Sequence, residues 1–75
     1  MKTLMYKGII GLVKDKKVQG KFSGHLLVDG AFVFYGDTIE EMIEDFKEAV
    51  ESYFEACDIK GVEPELVKVL DEKKV

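Results

Sequence analysis

The chain has 75 residues, a formal net charge of −4 and 47 % hydrophobic residues. A length of this order makes one small domain, which buries only about 60 % of its unfolded surface and sits near the limit of independent stability. Cys57 is the single cysteine and His25 the single histidine, which excludes an internal disulfide and a Cys/His metal cluster and leaves a partner subunit as the expected staple. All strong bases are lysines. Without arginine's bidentate fork and with an acidic balance, autonomous nucleic-acid binding is disfavoured, and a basic protein partner suits the chain better.

The N-terminus, MKTLMYKGII, has no long apolar core followed by a small-residue cleavage site, so no signal peptide is read there. No apolar run approaches the length of a membrane span, and the expected location is the cytoplasm. Leu4 to Val13 reads as a first strand, closed by the charged turn at Lys14 to Lys17. Both of its parities are apolar: Leu4, Tyr6, Ile10 and Leu12 on one, Met5, Ile9 and Val13 on the other. Gly8 and Gly11 interrupt it, as at a bulge or a close backbone approach.

Val18 to Leu27 alternates more cleanly, with Gln19, Lys21, Ser23 and His25 on one side. Asp29-Gly30, flanked by Leu27-Val28 and Ala31-Phe32, is the signature of a two-residue type I′ hairpin turn. Ala31 to Tyr35 is then a third strand, again apolar on both parities. Gly36-Asp37-Thr38 leads into a long helix up to Gly61, with Asp37 and Glu40 or Thr38 and Glu41 spaced as a capping box. Ile39, Met42, Ile43, Phe46, Ala49, Val50, Tyr53, Phe54 and Cys57 recur at helical spacing and form one wide apolar face. Lys60 and Gly61 form a stop signal, and Pro64 discourages continuation.

The expected fold is therefore α+β: a three-stranded antiparallel meander covered on one face by one long helix. Residues 1–75 form a single domain in which 66–75 is a C-terminal tail with a possible short strand or helical turn. One helix covers one face of such a sheet, yet the first and third strands are apolar on both. Hiding roughly 500 Å² of open face is worth on the order of 10 kcal/mol gross at about 25 cal/mol per Å². A homo-oligomer, dimer or tetramer, is expected, with Met5, Ile9, Val13, Phe32 and Phe34 as the candidate interface, although either strand parity could face the helix.

No catalytic constellation is found. Ser23 and Asp29 lie near His25 in sequence but at no recognised spacing, and neither GxGxxG nor GxxxxGKS occurs. Glu40, Glu44, Glu48, Glu51 and Glu55 line the polar side of the helix, where solvation is the plain reading and contact with a basic partner the functional one. Cys57, inside the apolar stripe, is read as a small buried hydrophobe. No cofactor, metal or catalytic residue is assigned.

Gly36-Asp37-Thr38-Ile39-Glu40-Glu41 running through Glu48-Ala49-Val50 resembles the HicB family of type II antitoxins. Tyr6-Lys7-Gly8 with Gly11 and Val13 is similar to the family's first strand, and Phe22-Ser23-Gly24 to its second. Tyr53-Phe54-Glu55-Ala56-Cys57 and Gly61-Val62-Glu63-Pro64-Glu65 resemble its helix end and exit. The resemblance implies a partial ribonuclease-H-like domain, usually oligomeric and without nuclease activity, that binds and neutralises a small basic HicA toxin, an mRNA interferase. Many relatives continue into a DNA-binding domain. Few residues follow Gly61 here, too few for such a domain, so DNA binding as a repressor of its own operon is not the first reading but an alternative, beside a solitary oligomeric module without a toxin.

Overall fold

A computed structural model describes residues 2–66. Four strands precede one helix: β1 (Lys2–Tyr6), β2 (Ile9–Val13), β3 (Phe22–Leu26), β4 (Val33–Gly36) and α1 (Ile39–Lys60). The strands form an antiparallel sheet in the order β1-β2-β3-β4. The architecture is α+β as expected, but with four strands rather than three. The proposed C-terminal strand or helical turn lies, beyond Leu66, outside the described residues.

The extra strand arises because Leu4 to Val13 is a hairpin, not one strand. Lys7 and Gly8 both take positive φ, 52° and 83°, the pair that a type I′ turn requires. The chain reverses there, so Tyr6 pairs with Ile9 and Lys2 with Val13. Gln19 and Gly20 repeat the device with φ of 53° and 80°, joining Val18 to Lys21 through two backbone hydrogen bonds of 2.9 and 3.0 Å.

At Asp29-Gly30 the expected tight turn is replaced by a wider connection over residues 27–32, in which only Gly30 has positive φ. Tertiary contacts overrode the local signal. The Asp29 amide donates to the Glu65 carboxylate at 3.1 Å, and the Phe32 ring stands edge-on to Tyr53 with centroids 5.4 Å apart.

Helix α1 is delimited by local chemistry. Thr38 is the N-cap, its hydroxyl accepting from the Glu41 amide at 3.1 Å, while the Glu41 carboxylate accepts from the Asp37 amide at 3.1 Å. At the other end Gly61 is left-handed, with Gly61 N–H to Asp58 O and Val62 N–H to Cys57 O completing a Schellman motif. Met42, Phe46, Val50, Tyr53 and Cys57 turn inward onto Ile9, Val13, Leu26 and Phe34. Phe34 and Phe46 meet edge to face, with centroids 5.1 Å apart.

Glycines decide how closely the helix lies. A Cβ on Gly11 would run into the Phe46 ring, and one on Gly24 into the Phe34 ring and the Leu12 carbonyl. The sheet is hollowed where those two rings sit. Because the register places Gly11, Val13, Gly24 and Phe34 on one parity, that parity is the helix side.

Candidate functional site: an acidic groove and an open sheet face

Two surfaces stand out. The first is a groove between the end of β4 and the first turns of α1, lined by Asp37, Glu40, Glu41, Glu44, Asp45 and Glu48 together with Lys21 and Tyr35. Three of these carboxylates serve the fold. Asp45 accepts the Tyr35 amide at 3.0 Å and so caps an outward-pointing donor of the edge strand. Glu41 belongs to the helix cap. Asp37 is paired with Lys21, whose hydrogen bond and charge hold the Asp37 carboxyl below its ordinary range, while the lysine is raised in return. Glu40, Glu44 and Glu48 are exposed and make no hydrogen bond or ion pair among the described residues.

The remaining predicted acids separate from this groove. Glu51 leans over the β1–β2 turn, where its carboxylate accepts from the Tyr6 hydroxyl at 3.0 Å and from Lys7 Nζ at 2.7 Å. Hydrogen bonding to Lys7 and Tyr6 lowers its carboxyl, and the Lys7 ammonium is raised by the same bond. Glu55 is exposed farther along the helix and does not line the groove. Sequence periodicity placed all five acids on the polar side, but their division into a groove and a tether depends on where β1 and β4 end.

The second surface is the sheet face away from the helix. The candidate interface residues do not lie on it as expected. Ile9, Val13 and Phe34 are buried under α1, and Phe32 is half-buried against Tyr53; only Met5, 57 % exposed, faces outward. The open face is built from the alternate parity: Met5 opposite Ile10, then Thr3, Leu12, His25 and Val33 in one row, then Ser23 opposite Tyr35. Leu27 extends the first row through its hydrogen bond to the Ile10 carbonyl. Val33, Tyr35 and Leu27 are each more than half exposed. Ser23 lies on the polar side of its strand, as the alternation predicts. Its hydroxyl is shielded from solvent and has no hydrogen-bond partner among the described residues, at odds with the usual pairing of buried polar groups.

His25 is exposed on that face and makes no hydrogen bond to Ser23 or Asp29. Cys57 is buried beside Tyr53, whose hydroxyl accepts the Glu65 amide at 2.8 Å; burial pushes the Tyr53 phenol up. Among the described residues no group of three or more His, Cys, Asp or Glu side chains is arranged to hold a metal ion. None of the helices there is long and apolar enough to cross a membrane. Both surfaces are suited to binding another molecule, one by charge and one by apolar area. No protein family, curated protein or solved structure matches the chain.

Proposed function

We propose that this chain is a non-catalytic binding domain of HicB type that neutralises a small basic protein, an mRNA interferase of the HicA kind. The observation that carries the reading is the groove between β4 and α1, where Glu40, Glu44 and Glu48 make no hydrogen bond or ion pair among the described residues. Carboxylates held on a rigid helix keep a fixed spacing, so they complement a basic surface without first being ordered. Lys21 is the only base among the described residues that line the groove, and Asp37 already pairs with it. The sequence resemblance to HicB antitoxins names the partner class. The chemistry of the groove supports the sign of its charge.

The test is to search the coding sequences next to this chain's own for a small basic protein, purify any found, measure its RNA cleavage, and titrate the chain into the assay. Cleavage should fall to background near equimolar chain, and Glu44→Lys with Glu48→Lys should weaken inhibition at least tenfold at 0.15 M salt. Undiminished cleavage with excess wild-type chain would defeat the reading. Full inhibition by the double variant would move the contact to another surface. Repression through DNA has weaker support, because Lys14, Lys16 and Lys17 are confined to the single β2–β3 connection.

A further inference from the structure

We infer that the cleft between β1 and the first two turns of α1 binds a small amphipathic carboxylate. Its apolar part lodges against the helix, and its charged end meets the lysines at the mouth. The acidic groove lies on the other flank of the same helical turns, so the site is independent of the toxin reading.

The cleft exists because α1 lies mainly over β3 and β4 and covers the β1 margin of the sheet incompletely. Ile39, Ile43, Lys47 and Glu51 recur every four residues and form one row of the helix, on the side toward β1. The second half of this row is fastened to the strand. Glu51 accepts from the Tyr6 hydroxyl at 3.0 Å and from Lys7 Nζ at 2.7 Å, and the Lys47 ammonium stands 5.8 Å from the centre of the Tyr6 ring. The first half is apolar and stays apart from the strand, leaving a space of about 200 Å³ lined by Leu4, Ile39 and Ile43.

Two buried core residues, Val13 and Met42, also line this space and close it on the inside. Ile39 is 49 % exposed, and Leu4 and Ile43 are half-buried, so the fold leaves apolar side chains of a concave site partly wet. A ligand that displaces that water gains the burial the helix does not supply. The volume falls below the roughly 300–1,000 Å³ of sites for drug-sized molecules, which limits the occupant to about ten non-hydrogen atoms.

The mouth sets the charge of the ligand. The register of Lys2 with Val13 puts Lys2 on the helix side of the sheet, where it lines the cleft together with Lys14. Neither ammonium makes an ion pair among the described residues. Phe22 lines the same end, and Lys17 Nζ stands over its ring, 4.7 Å from the centre. Asp15 is the one carboxylate in the lining among the described residues. Lysine stems pack along an apolar group while their ammoniums stay at the water boundary, and a carboxylate there accepts charge-assisted hydrogen bonds. A cation of the same length is repelled at this mouth, although the chain as a whole is acidic.

Titration of sodium octanoate into the ¹⁵N-labelled protein, followed by amide chemical shifts, tests this. Saturable shifts centred on Leu4, Ile39 and Ile43 are expected, with a dissociation constant on the order of 1 mM. Octylamine should bind the cleft at least tenfold more weakly. Ile39→Glu, at an exposed position, should abolish the shifts, and Lys14→Glu should weaken binding at least threefold, both with unchanged far-UV circular dichroism. If the first variant loses its fold, the second carries the test. No saturable shift by about 10 mM octanoate, shifts confined to the open sheet face, or equal binding by the folded variants would overturn the assignment. So would nuclear Overhauser contacts in the ligand-free protein from the Ile43 methyl groups to residues 67–75 or to a second copy, because the cleft would then already be filled.

Discussion

On the helix side of the sheet, Ile9, Val13, Leu26 and Phe34 are closed off from water; one residue along each strand, Ile10, Leu12, His25 and Val33 look the other way. His25 apart, the two sets differ little in hydrophobicity. What separates them is the shape beneath: Gly11 and Gly24 open the helix side to the rings of Phe46 and Phe34, and no comparable hollow receives a helix on the open side. Burial here follows room to pack more than apolar character. The covered face holds the domain together, and the open face is left to solvent.

The sharpest way to break the comparison is to truncate neighbours on opposite faces of β4. Phe34→Ala should cost about 3–5 kcal/mol, comparable with the whole stability of a domain this size, and thermal unfolding below 1 μM should show little folded protein at 37 °C. Next in size is Gly24→Ala, which drives a methyl group toward the Phe34 ring and the Leu12 carbonyl and should cost about 1–3 kcal/mol in urea titrations. The cover itself is weakened by Thr38→Ala, which removes the helix cap at about 1 kcal/mol, read as a lower denaturation midpoint with an unchanged slope. Val33→Thr, one residue from Phe34, should change monomer stability by less than about 0.5 kcal/mol, measured at concentrations too low for self-association.

Acid should produce the smallest effect. Asp37 and Glu51 have carboxyls lowered in the folded state by Lys21 and Lys7, so their contribution is present above the ordinary carboxylate range near pH 4. It is lost as pH falls through the lowered folded values, since the unfolded chain then binds more protons. All four groups are exposed, so the loss should be shallow and should shrink in 0.5 M salt. Chemical denaturation between pH 6 and pH 2.5 at two salt concentrations checks this. A steep, salt-independent fall would place titrating carboxylates under the helix.

Several features were readable from residue order because they are local. The period of Met42, Phe46, Val50, Tyr53 and Cys57 identifies the buried stripe of α1, and the choice at its start lay between two adjacent capping pairs, of which Thr38 with Glu41 is the one used. The outward set Glu40, Glu44 and Glu48 follows from the same period. The candidate interface on the sheet was misplaced because strands apolar on both parities carry no internal sign of which face the helix takes. One signal was available: Gly11, Gly24 and Gly36 share a parity once the β2–β3 and β3–β4 registers are drawn, and glycines opposite aromatic residues mark where a covering element presses in.

The turns divide in the same way. Lys7-Gly8 reverses the chain although lysine at positive φ is a weak local signal, whereas Asp29-Gly30, a strong one, opens into a wider loop. At the first site the gain comes from pairing β1 with β2 over five residue pairs. At the second, Glu65 and Tyr53 draw Asp29 and Phe32 away from a tight turn. The sequence alone determined the helix, its ends, its acidic side and the coarse α+β class, because capping and periodicity act within a few residues. Only the tertiary structure decided the number of strands, the side on which Phe34 and Phe46 meet, and the apolar face left open. Those outcomes depend on which distant surfaces fit together, and that fit is settled by packing across the sheet.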